Sequence, residues 1–348
     1  MSQRLTCRSS GSVRLPDPAA YLAAFCATAQ SYAEVDSGEG WARIDLGYAA
    51  VELRQRLEEV SLSIRATDNG TIAALQAMMT EHLRDNQQNR DLGFLWREAP
   101  PRLTRAYREM TVVAVTDITP HMRRFTLNGD NLQPFVAGGL HVHLYFPGSA
   151  PLAQPKIDDT GRVTWPGEAP EARAYTIRHI DAAAGLVEID MLLHPSHGPA
   201  PGGDFARSGR AGAVIGMSGP GGGQLPPSRW VLLAGDETAL PAIARMLETL
   251  PAETRAVVRI EVTGEADRLP LRSAADVDLR WLYRGAVPAA RSRLLLDALM
   301  QADFPERDTD RFVWFAAEAD IAREAKAWLR GRDDLSPSDF IAAGFWRA

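Results

Sequence analysis

The chain has 348 residues, which is too long for one ordinary hydrophobic core, so we expect two or three domains. Hydrophobic residues make up 45% of it and charged residues 24%, as in globular proteins, and the net charge of -6 argues against nucleic-acid binding, which usually goes with a basic excess. No apolar run approaches the roughly 20 residues that cross a bilayer, and Met1–Arg8 lacks the apolar core of a signal peptide, so we expect a cytoplasmic protein without membrane insertion.

Residues 1–95 are predicted to form a small α+β domain of unknown role. The helix Ala19–Ala29 has apolar residues at helical spacing, and a second helix, Thr71–Arg84, follows the capping sequence Asp68-Asn69-Gly70. Runs typical of β-strands lie between the two helices, at Trp41–Leu46, Ala49–Arg54 and Glu59–Ala66. No group of residues in this region points to catalysis. A polar, proline-containing stretch over residues 85–102 marks its boundary.

Residues 104–227 are predicted to form a small antiparallel β-barrel. Segments with strand-like alternation follow one another at short spacing, at Tyr107–Val115, Met122–Asn128, Leu140–Phe146, Arg162–Pro166, Ala172–Ile180, Gly185–Leu193 and Ala213–Met217. Six or so antiparallel strands at this spacing suit a small closed barrel. One short helix, Pro199–Ser208, is expected among them, and the free backbone N–H groups at its N-terminus suit a pyrophosphate.

The most informative run in this region is Arg-Ala-Tyr-Thr-Ile-Arg, residues 173–178. Strand periodicity places Arg173 and Tyr175 on one face and Thr176 and Arg178 on the other. Arg173 can form two hydrogen bonds to a pyrophosphate while Tyr175 lies against a flat ring, a combination that suits a flavin dinucleotide. Alternatively, the run is an ordinary amphipathic barrel strand with exposed arginines, and the six residues alone do not separate the two interpretations.

Residues 228–348 change to alternating strands and helices. Buried strands are predicted at Trp230–Gly235, Ala256–Val262, Asp278–Tyr283 and Arg311–Ala317. Helices are predicted at Thr238–Leu250, Ser292–Met300 and Ile321–Arg330. This pattern predicts an open α/β sheet with helices on both faces, and ligands are expected beyond the carboxyl ends of its strands.

The cysteine and histidine patterns indicate no metal site. Cys7 and Cys26 are the only cysteines, and two thiolates are too few for an ordinary iron–sulfur cluster. The histidine pairs at 141/143 and 194/197 have no cysteine or carboxylate nearby at structural-zinc spacing. We therefore predict strand or loop roles for these histidines.

Several short motifs in order over Arg105–Ala348 resemble the siderophore-interacting proteins, FAD-dependent ferric-siderophore reductases of the ferredoxin-reductase-like superfamily. The motifs are Val115–Leu127, Asn128–Leu132, His141–Pro147, the 173–178 run, Ile189–His194, Gly198-Pro199-Ala200, Ala234–Ile243 and Gly344–Arg347. The resemblance implies a barrel that binds FAD and a sheet domain similar to NAD(P)-binding domains. Residues 1–95 resemble an uncharacterised bacterial domain found alone or fused ahead of these proteins.

The resemblance also implies a set of cofactor-binding residues, without naming a catalytic one. They are Arg173, Tyr175, Thr176, Arg178, Asp190, Leu193, His194, Gly198, Pro199, Ala200, Phe205, Ala206, Asp236, Thr238, Ala239, Glu318 and Trp346. Substrate contacts are expected from Arg123, His143 and Arg347, and His143 stands where many relatives have a lysine. Positive charge near the flavin would attract an anionic ferric siderophore, and further candidates for it are Arg124, Arg178 and Arg284.

The chain departs from the family after Gly198-Pro199-Ala200. Relatives continue Ser-x-Trp-Ala, whereas this chain has Pro201-Gly202-Gly203-Asp204-Phe205-Ala206, so Phe205 is aligned with the tryptophan. Phenylalanine lacks the indole donor, and Asp204 places a carboxylate near the expected phosphate.

The implied reaction passes electrons from NAD(P)H or ferredoxin, through FAD, to Fe(III) in a siderophore. The siderophore binds Fe(II) more weakly than Fe(III), so reduction releases the metal. The acidic loop at Asp236 and Glu237 bears on the choice of donor, because carboxylates repel a pyrophosphate. Glu318 has two open roles, a ribose or nicotinamide contact and a carboxylate at a helix N-terminus. Alternative functions are a generic NAD(P)H–flavin oxidoreductase and a non-catalytic flavin or siderophore carrier or sensor.

Overall fold

The computed structural model describes most of the chain. The described residues exclude 1–4, 6, 31–32, 47–48, 67–71, 73–74, 77, 81, 84–94, 98–106, 137–138, 148–151, 154, 158–162, 168, 194–199, 222–224, 227 and 307–308. No helix within the described residues is long and apolar enough to span a bilayer.

The N-terminal region is an antiparallel sheet with helical cover. Its elements are β1 Cys7–Arg14, helix α1 Pro18–Ala29, β2 Glu34–Gly38, β3 Trp41–Asp45, β4 Ala49–Arg56, β5 Glu59–Ala66 and β6 Leu95–Trp96, with sheet order β2-β3-β4-β5-β1-β6. Helix α1 begins where the Asp17 carboxylate accepts a hydrogen bond from the Ala20 N–H at 2.9 Å. Its buried face, which includes Tyr21 and Phe25, covers the sheet.

This region confirms three predicted strands and one helix and adds strands that the sequence did not reveal. Strand β1 is rich in serine and glycine, so its alternation of buried positions carries little hydrophobic signal. Helical backbone recurs at residues 72, 75–76, 78–80 and 82–83, as expected for the second helix, whereas the cap at 68–70 lies outside the described residues.

The middle region is a closed six-stranded barrel, as predicted. Its strands are β7 Arg108–Thr119, β8 Met122–Asn128, β9 His141–Tyr145, β12 Ala172–Asp181, β13 Leu186–Leu192 and β14 Val214–Gly221, in the order β12-β13-β8-β7-β14-β9. The predicted strand at 162–166 is not part of the barrel. Val163–Thr164 is strand β11, which pairs with β10, Lys156–Ile157, in a separate two-stranded ribbon. The short helix α2, Pro201–Ser208, packs on β13.

The C-terminal region is a five-stranded parallel sheet flanked by helices. Its elements are β15 Trp230–Gly235, α3 Leu240–Thr249, β16 Arg255–Val262, β17 Asp276–Tyr283, α4 Leu294–Met300, β18 Arg311–Glu318, α5 Ala319–Arg330 and β19 Phe340–Trp346. The order β17-β16-β15-β18-β19 reverses direction between β15 and β18, where open parallel sheets bind ligands beyond their carboxyl ends. Strand β19 was missed because alanine and glycine fill its centre.

The barrel and the parallel sheet pack directly against each other. Met122 and Leu140 of the barrel join the hydrophobic cluster that contains Leu240 and Trp314 of the sheet domain. This shared core places the outer side of β12 and β9 beside helix α3 and the C-terminal strand. The ligand-binding end of the sheet therefore faces the strand that carries the predicted flavin motif.

Candidate active site

The predicted flavin motif lies on strand β12, and its side chains alternate between two faces as expected. Tyr175 pairs with Val142 of β9, which lies in the barrel interior, whereas Thr176 pairs with His141. Directly opposed residues of antiparallel strands project on the same face. Tyr175 and Arg173 therefore share the interior side near the barrel rim, and Thr176 and His141 share the outer side.

The Tyr175 ring lies against the N-terminus of helix α2. Its ring centroid is 6.1 Å from that of Phe146, and burial raises the pKa of its hydroxyl to about 12. A Cβ atom at Gly202 would overlap that hydroxyl, so glycine allows the helix to approach the ring. Gly202 and Gly203 are buried in the first turn, where backbone N–H groups lack intrahelical partners.

The carboxylate of Asp204, which the sequence placed near the expected phosphate, is balanced locally. Asp204 forms an ion pair with Arg207 one turn along the helix and accepts a hydrogen bond from the Ala200 N–H at 3.4 Å. Its charge is thus partly offset by a cation on the same helix. Ala200, a predicted cofactor residue, is the N-cap residue.

Phe205, which is aligned with the family's tryptophan, packs into the barrel. Its ring centroid lies 5.2 Å from those of both Phe125 and Phe146. Ala206 beside it is fully buried, and Leu193 packs at the edge of the same cluster. Phe205 and Ala206, which belong to helix α2, thus anchor it to the barrel core, with Leu193 at the edge of the contact.

Arg173 lies at the exposed rim of the barrel. Its guanidinium forms an ion pair with Glu171 at 2.8 Å and donates to the Ala172 carbonyl, and about half of its side chain, 51%, is exposed. Exposed ion pairs of this kind contribute about 0–1 kcal/mol. Arg173 can therefore exchange Glu171 for a phosphate at little cost.

Arg178 points away from Arg173 and toward the sheet domain. Its two terminal nitrogens donate to the Glu248 carboxylate of helix α3 at 3.0 and 2.6 Å. A β-bulge after Ile177 breaks the strand alternation at this point, and Arg245 of α3 donates to the Ile177 carbonyl at 3.0 Å. The last arginine of the motif is thus engaged in a contact between the two domains.

Two further predicted residues are engaged in ion pairs within the barrel. Asp190 is buried and accepts two hydrogen bonds from Arg124, at 2.7 and 2.9 Å. Arg123 pairs with Asp117 at 2.6 Å and donates to the Ala206 carbonyl near the C-terminal end of α2. The Arg123 contacts therefore tie the C-terminal end of α2 to the barrel wall.

The remaining predicted barrel residues differ in their exposure. His143 projects outward from β9, and desolvation lowers the pKa of its imidazole. His194, Gly198 and Pro199 lie outside the described residues. At the other side of the junction, Arg347 is exposed and forms no ion pair with a described residue.

The carboxyl end of β15 is joined to the C-terminal tryptophan through a buried carboxylate. Asp236 accepts hydrogen bonds from the Trp346 indole at 2.8 Å, the Thr238 N–H at 2.9 Å and the Thr238 hydroxyl at 2.5 Å. Burial raises the pKa of Asp236, and these hydrogen bonds oppose the rise. Ala239, the next predicted residue, is the fully buried N-cap of α3. Asp236 therefore fixes the Trp346 side chain at the strand reversal.

The neighbouring carboxylates of Glu237 and Glu318 also have partners within the protein. Glu237 forms an ion pair with Arg284 at 2.6 Å and accepts a hydrogen bond from the Thr263 N–H at 2.9 Å. Glu318 caps helix α5, because it accepts hydrogen bonds from the N–H groups of Asp320 and Ile321 at 2.6 and 3.3 Å. Of the two roles left open for Glu318, the structure shows the helix-terminal one.

The groups around β12 fit a bound flavin dinucleotide. Neither the Thr176 hydroxyl nor the buried His141 Nε2 atom forms a hydrogen bond with a described residue. Both lie beside the sheet domain, while the glycine turn of α2 and Arg173 lie on the other side of the strand. This arrangement offers polar partners for a ring and N–H and guanidinium groups for phosphates.

Sequence reasoning did not assign His141, Arg245 or Glu248 a role in this site. The available signal was the alternation of histidines at 141 and 143, which places both on the outer side of β9. The helix residues Arg245 and Glu248 gave no such signal, since they face the barrel only after the two domains dock.

Comparison with known proteins is consistent with this geometry. A family model described as the siderophore-interacting FAD-binding domain matches residues 111–224, and one described as siderophore-interacting protein matches residues 228–348. A siderophore utilization protein from T. fusca is 33% identical, with a TM-score of 0.60, over 69% of this chain and 92% of that one. The chain belongs to the siderophore-interacting protein family.

Several curated relatives have names that describe an activity, among them the following two. The ferric vibriobactin reductase ViuB of Vibrio cholerae is 28% identical over 66% of this chain and 85% of the relative. The NADPH-dependent ferric-chelate reductase of Escherichia coli is 27% identical over 70% of this chain and 93% of the relative.

The family models settle two sequence-based predictions. The expected FAD-binding barrel followed by an α/β domain is confirmed for this siderophore-interacting protein. Residues 10–97 match an uncharacterized protein family conserved in bacteria, DUF2218, as the resemblance implied. The domain boundaries at 95, 104 and 228 and the individual site residues stay predictions.

The Arg173→Ala substitution is expected to weaken FAD binding by about 1.5–3 kcal/mol, roughly ten- to over a hundredfold in Kd, because a charge-assisted contact to phosphate is lost. Titration of the apoprotein with FAD measures this. Arg43→Ala is the matched control, since Arg43 forms a similar exposed pair with Asp45 on a strand of the N-terminal region. Equal FAD affinity in wild type and Arg173→Ala would show that other groups hold the phosphates.

The Gly202→Ala substitution is expected to raise the FAD Kd by about tenfold or more, because the new methyl group displaces either the Tyr175 ring or the helix N-terminus. In the double variant Gly202→Ala/Tyr175→Phe the overlapping oxygen is absent. Its FAD Kd should therefore be close to that of the Tyr175→Phe single variant. Gly331→Ala, where the nearest atom would lie at 3.5 Å, is the control. Normal affinity in Gly202→Ala would contradict the proposed approach of α2 to the cofactor.

Proposed function

We propose that this protein reduces ferric siderophores, with FAD as its cofactor and NAD(P)H as its electron donor, and so releases iron as Fe(II). The observation that carries the proposal is the position of the flavin motif. The Thr176 hydroxyl, which forms no hydrogen bond with a described residue, lies on the outer side of β12. The sheet domain on that side has its strand reversal, the expected ligand-binding position, between β15 and β18. The names of ViuB and of the NADPH-dependent ferric-chelate reductase support the same reaction.

The residues of this chain would hold FAD from both sides of β12. Arg173 and the N–H groups of Gly202 and Gly203 would bind the phosphates, while Tyr175 and Thr176 would contact the ring. When bound, FAD supplies a carrier that accepts electrons in pairs and releases them singly. The hydrogen bond from Trp346 to Asp236 keeps the tryptophan at the same junction, where its ring would shield a bound flavin from water.

The ferric siderophore is the substrate, and its iron needs no protein ligand. Fe(III) binds hard oxygen donors more tightly than Fe(II) does, so electron transfer loosens the chelate. An anionic chelate would be drawn by unpaired positive charge. Four of the five candidate arginines form ion pairs with carboxylates, namely Arg123, Arg124, Arg178 and Arg284. Arg347 is therefore the best candidate for a cationic substrate contact, and His143 would contribute a hydrogen bond rather than a charge.

A nicotinamide donor is favoured over ferredoxin by the sheet domain. Its strand reversal forms the kind of crevice in which α/β domains hold dinucleotides. The ion pair from Arg284 to Glu237 reduces the negative charge at that crevice. Because reduced nicotinamides are held in the cytoplasm, the proposal also places the protein there.

Anaerobic absorbance measurements test the reaction directly. NADPH or NADH should bleach the bound flavin, and a ferric hydroxamate siderophore should then restore its colour while ferrozine traps Fe(II). Arg347→Ala should raise the apparent KM for the siderophore several-fold and leave bleaching unchanged, with Arg43→Ala as control. If only reduced ferredoxin bleaches the flavin, the proposal that NAD(P)H is the electron donor is wrong. If no ferric siderophore reoxidises the reduced flavin, the proposed reduction of siderophores is wrong.

A further inference from the structure

His141 lies at the junction of the barrel and the sheet domain. It begins β9, with Thr176 of β12 on one side and Gly221 of β14 on the other. Val142 and Leu144 point into the barrel interior, so His141 projects outward. Its side chain is on the same face as the Thr176 hydroxyl.

The surroundings of the imidazole come from the sheet domain. The ring meets Phe345 of β19 edge to face, with centroids 5.3 Å apart, and Phe345 directly precedes Trp346. Burial, followed by the positive charges of His143 and Arg245, lowers the pKa of His141 to about 4. The imidazole is therefore neutral near pH 7 and offers a hydrogen bond rather than a charge.

The Nε2 atom of His141 is buried and has no hydrogen-bond partner among the residues that the structure describes. Most buried polar side-chain atoms are hydrogen-bonded, and leaving one without a partner costs about 1–3 kcal/mol. A second unpaired polar group, the Thr176 hydroxyl, lies on the same face of the neighbouring strand. Two unpaired groups side by side indicate a ligand with a polar edge, and a flavin ring has such an edge.

We propose that His141 binds the polar edge of the flavin ring through Nε2, beside the Thr176 hydroxyl. The proposal rests on FAD binding as part of the proposed function, and it concerns a residue to which the flavin motif assigns no role. His141 would thereby align the ring between β12 and the C-terminal strand. The competing explanation is that His141 only packs against Phe345.

Apolar substitution separates the two explanations. In His141→Phe and His141→Leu, the FAD Kd should rise about tenfold, while the melting temperature of the apoprotein should stay level or increase, because a buried polar atom without a partner is removed. His141→Gln, which retains hydrogen-bonding groups, should bind FAD within about threefold of wild type. His179→Gln is the control, since His179 is an exposed histidine of the same barrel.

The measurements are FAD titration of each apoprotein, thermal unfolding without FAD and the visible spectrum of the bound flavin. Weaker FAD binding in both apolar variants with a shifted flavin spectrum and an intact apoprotein would support the proposal. Wild-type FAD affinity in both variants, or an equal loss in His141→Gln and His141→Phe with a destabilised apoprotein, would overturn it. If the wild-type protein binds FAD but transfers no electrons to a siderophore, the proposed reaction is wrong. The role of His141 in FAD binding would still be tested by the same titrations.

Discussion

The contact between Arg178 and Glu248 is the ion pair that joins the flavin motif to the sheet domain, beside the hydrophobic core that the two domains share. It joins the end of the flavin motif on β12 to helix α3, which begins directly after the acidic end of β15. The Arg178 side chain is only 15% exposed, so this pair is less screened than an ordinary surface pair. Arg245 adds a hydrogen bond from the same helix to the Ile177 carbonyl. Both contacts directly follow Thr176 along β12, so they hold this part of the strand against helix α3.

The charges at the junction also determine where the phosphates of a ligand can bind. Asp236, Glu237 and Glu261 are all buried near the end of the sheet, with Arg284 as their shared cationic neighbour. Burial raises the pKa of both Asp236 and Glu261, as expected where carboxylates crowd together out of water. Arg284 offsets part of this negative charge, so the sheet side of the junction is less favourable for the FAD phosphates than the barrel side. On the barrel side, the first turn of α2 offers N–H donors and Arg173 offers a positive charge. We therefore expect the FAD phosphates on the barrel side and the flavin ring toward the sheet domain.

The sequence was sufficient for the barrel and for most of the parallel sheet because their hydrophobic patterns are strong. The alternation of Arg173, Tyr175 and Thr176 was also correct, since it depends only on strand geometry. Strand β19 was not predictable in this way, because its alanine and glycine residues carry little signal. The role of Arg178 was not predictable either. A β-bulge redirects the strand after Ile177, and the partner Glu248 lies 70 residues further along the chain.

Amide hydrogen exchange with and without FAD tests the central claim most directly, namely that the cofactor binds at the junction of barrel and sheet. The account predicts slower exchange in three segments once FAD is bound: Ala172–Asp181, Pro201–Ser208 and Phe340–Trp346. It predicts no change in the N-terminal sheet strands, such as Glu59–Ala66. Protection that is absent from Phe340–Trp346, or that is centred on the N-terminal region, would contradict the account.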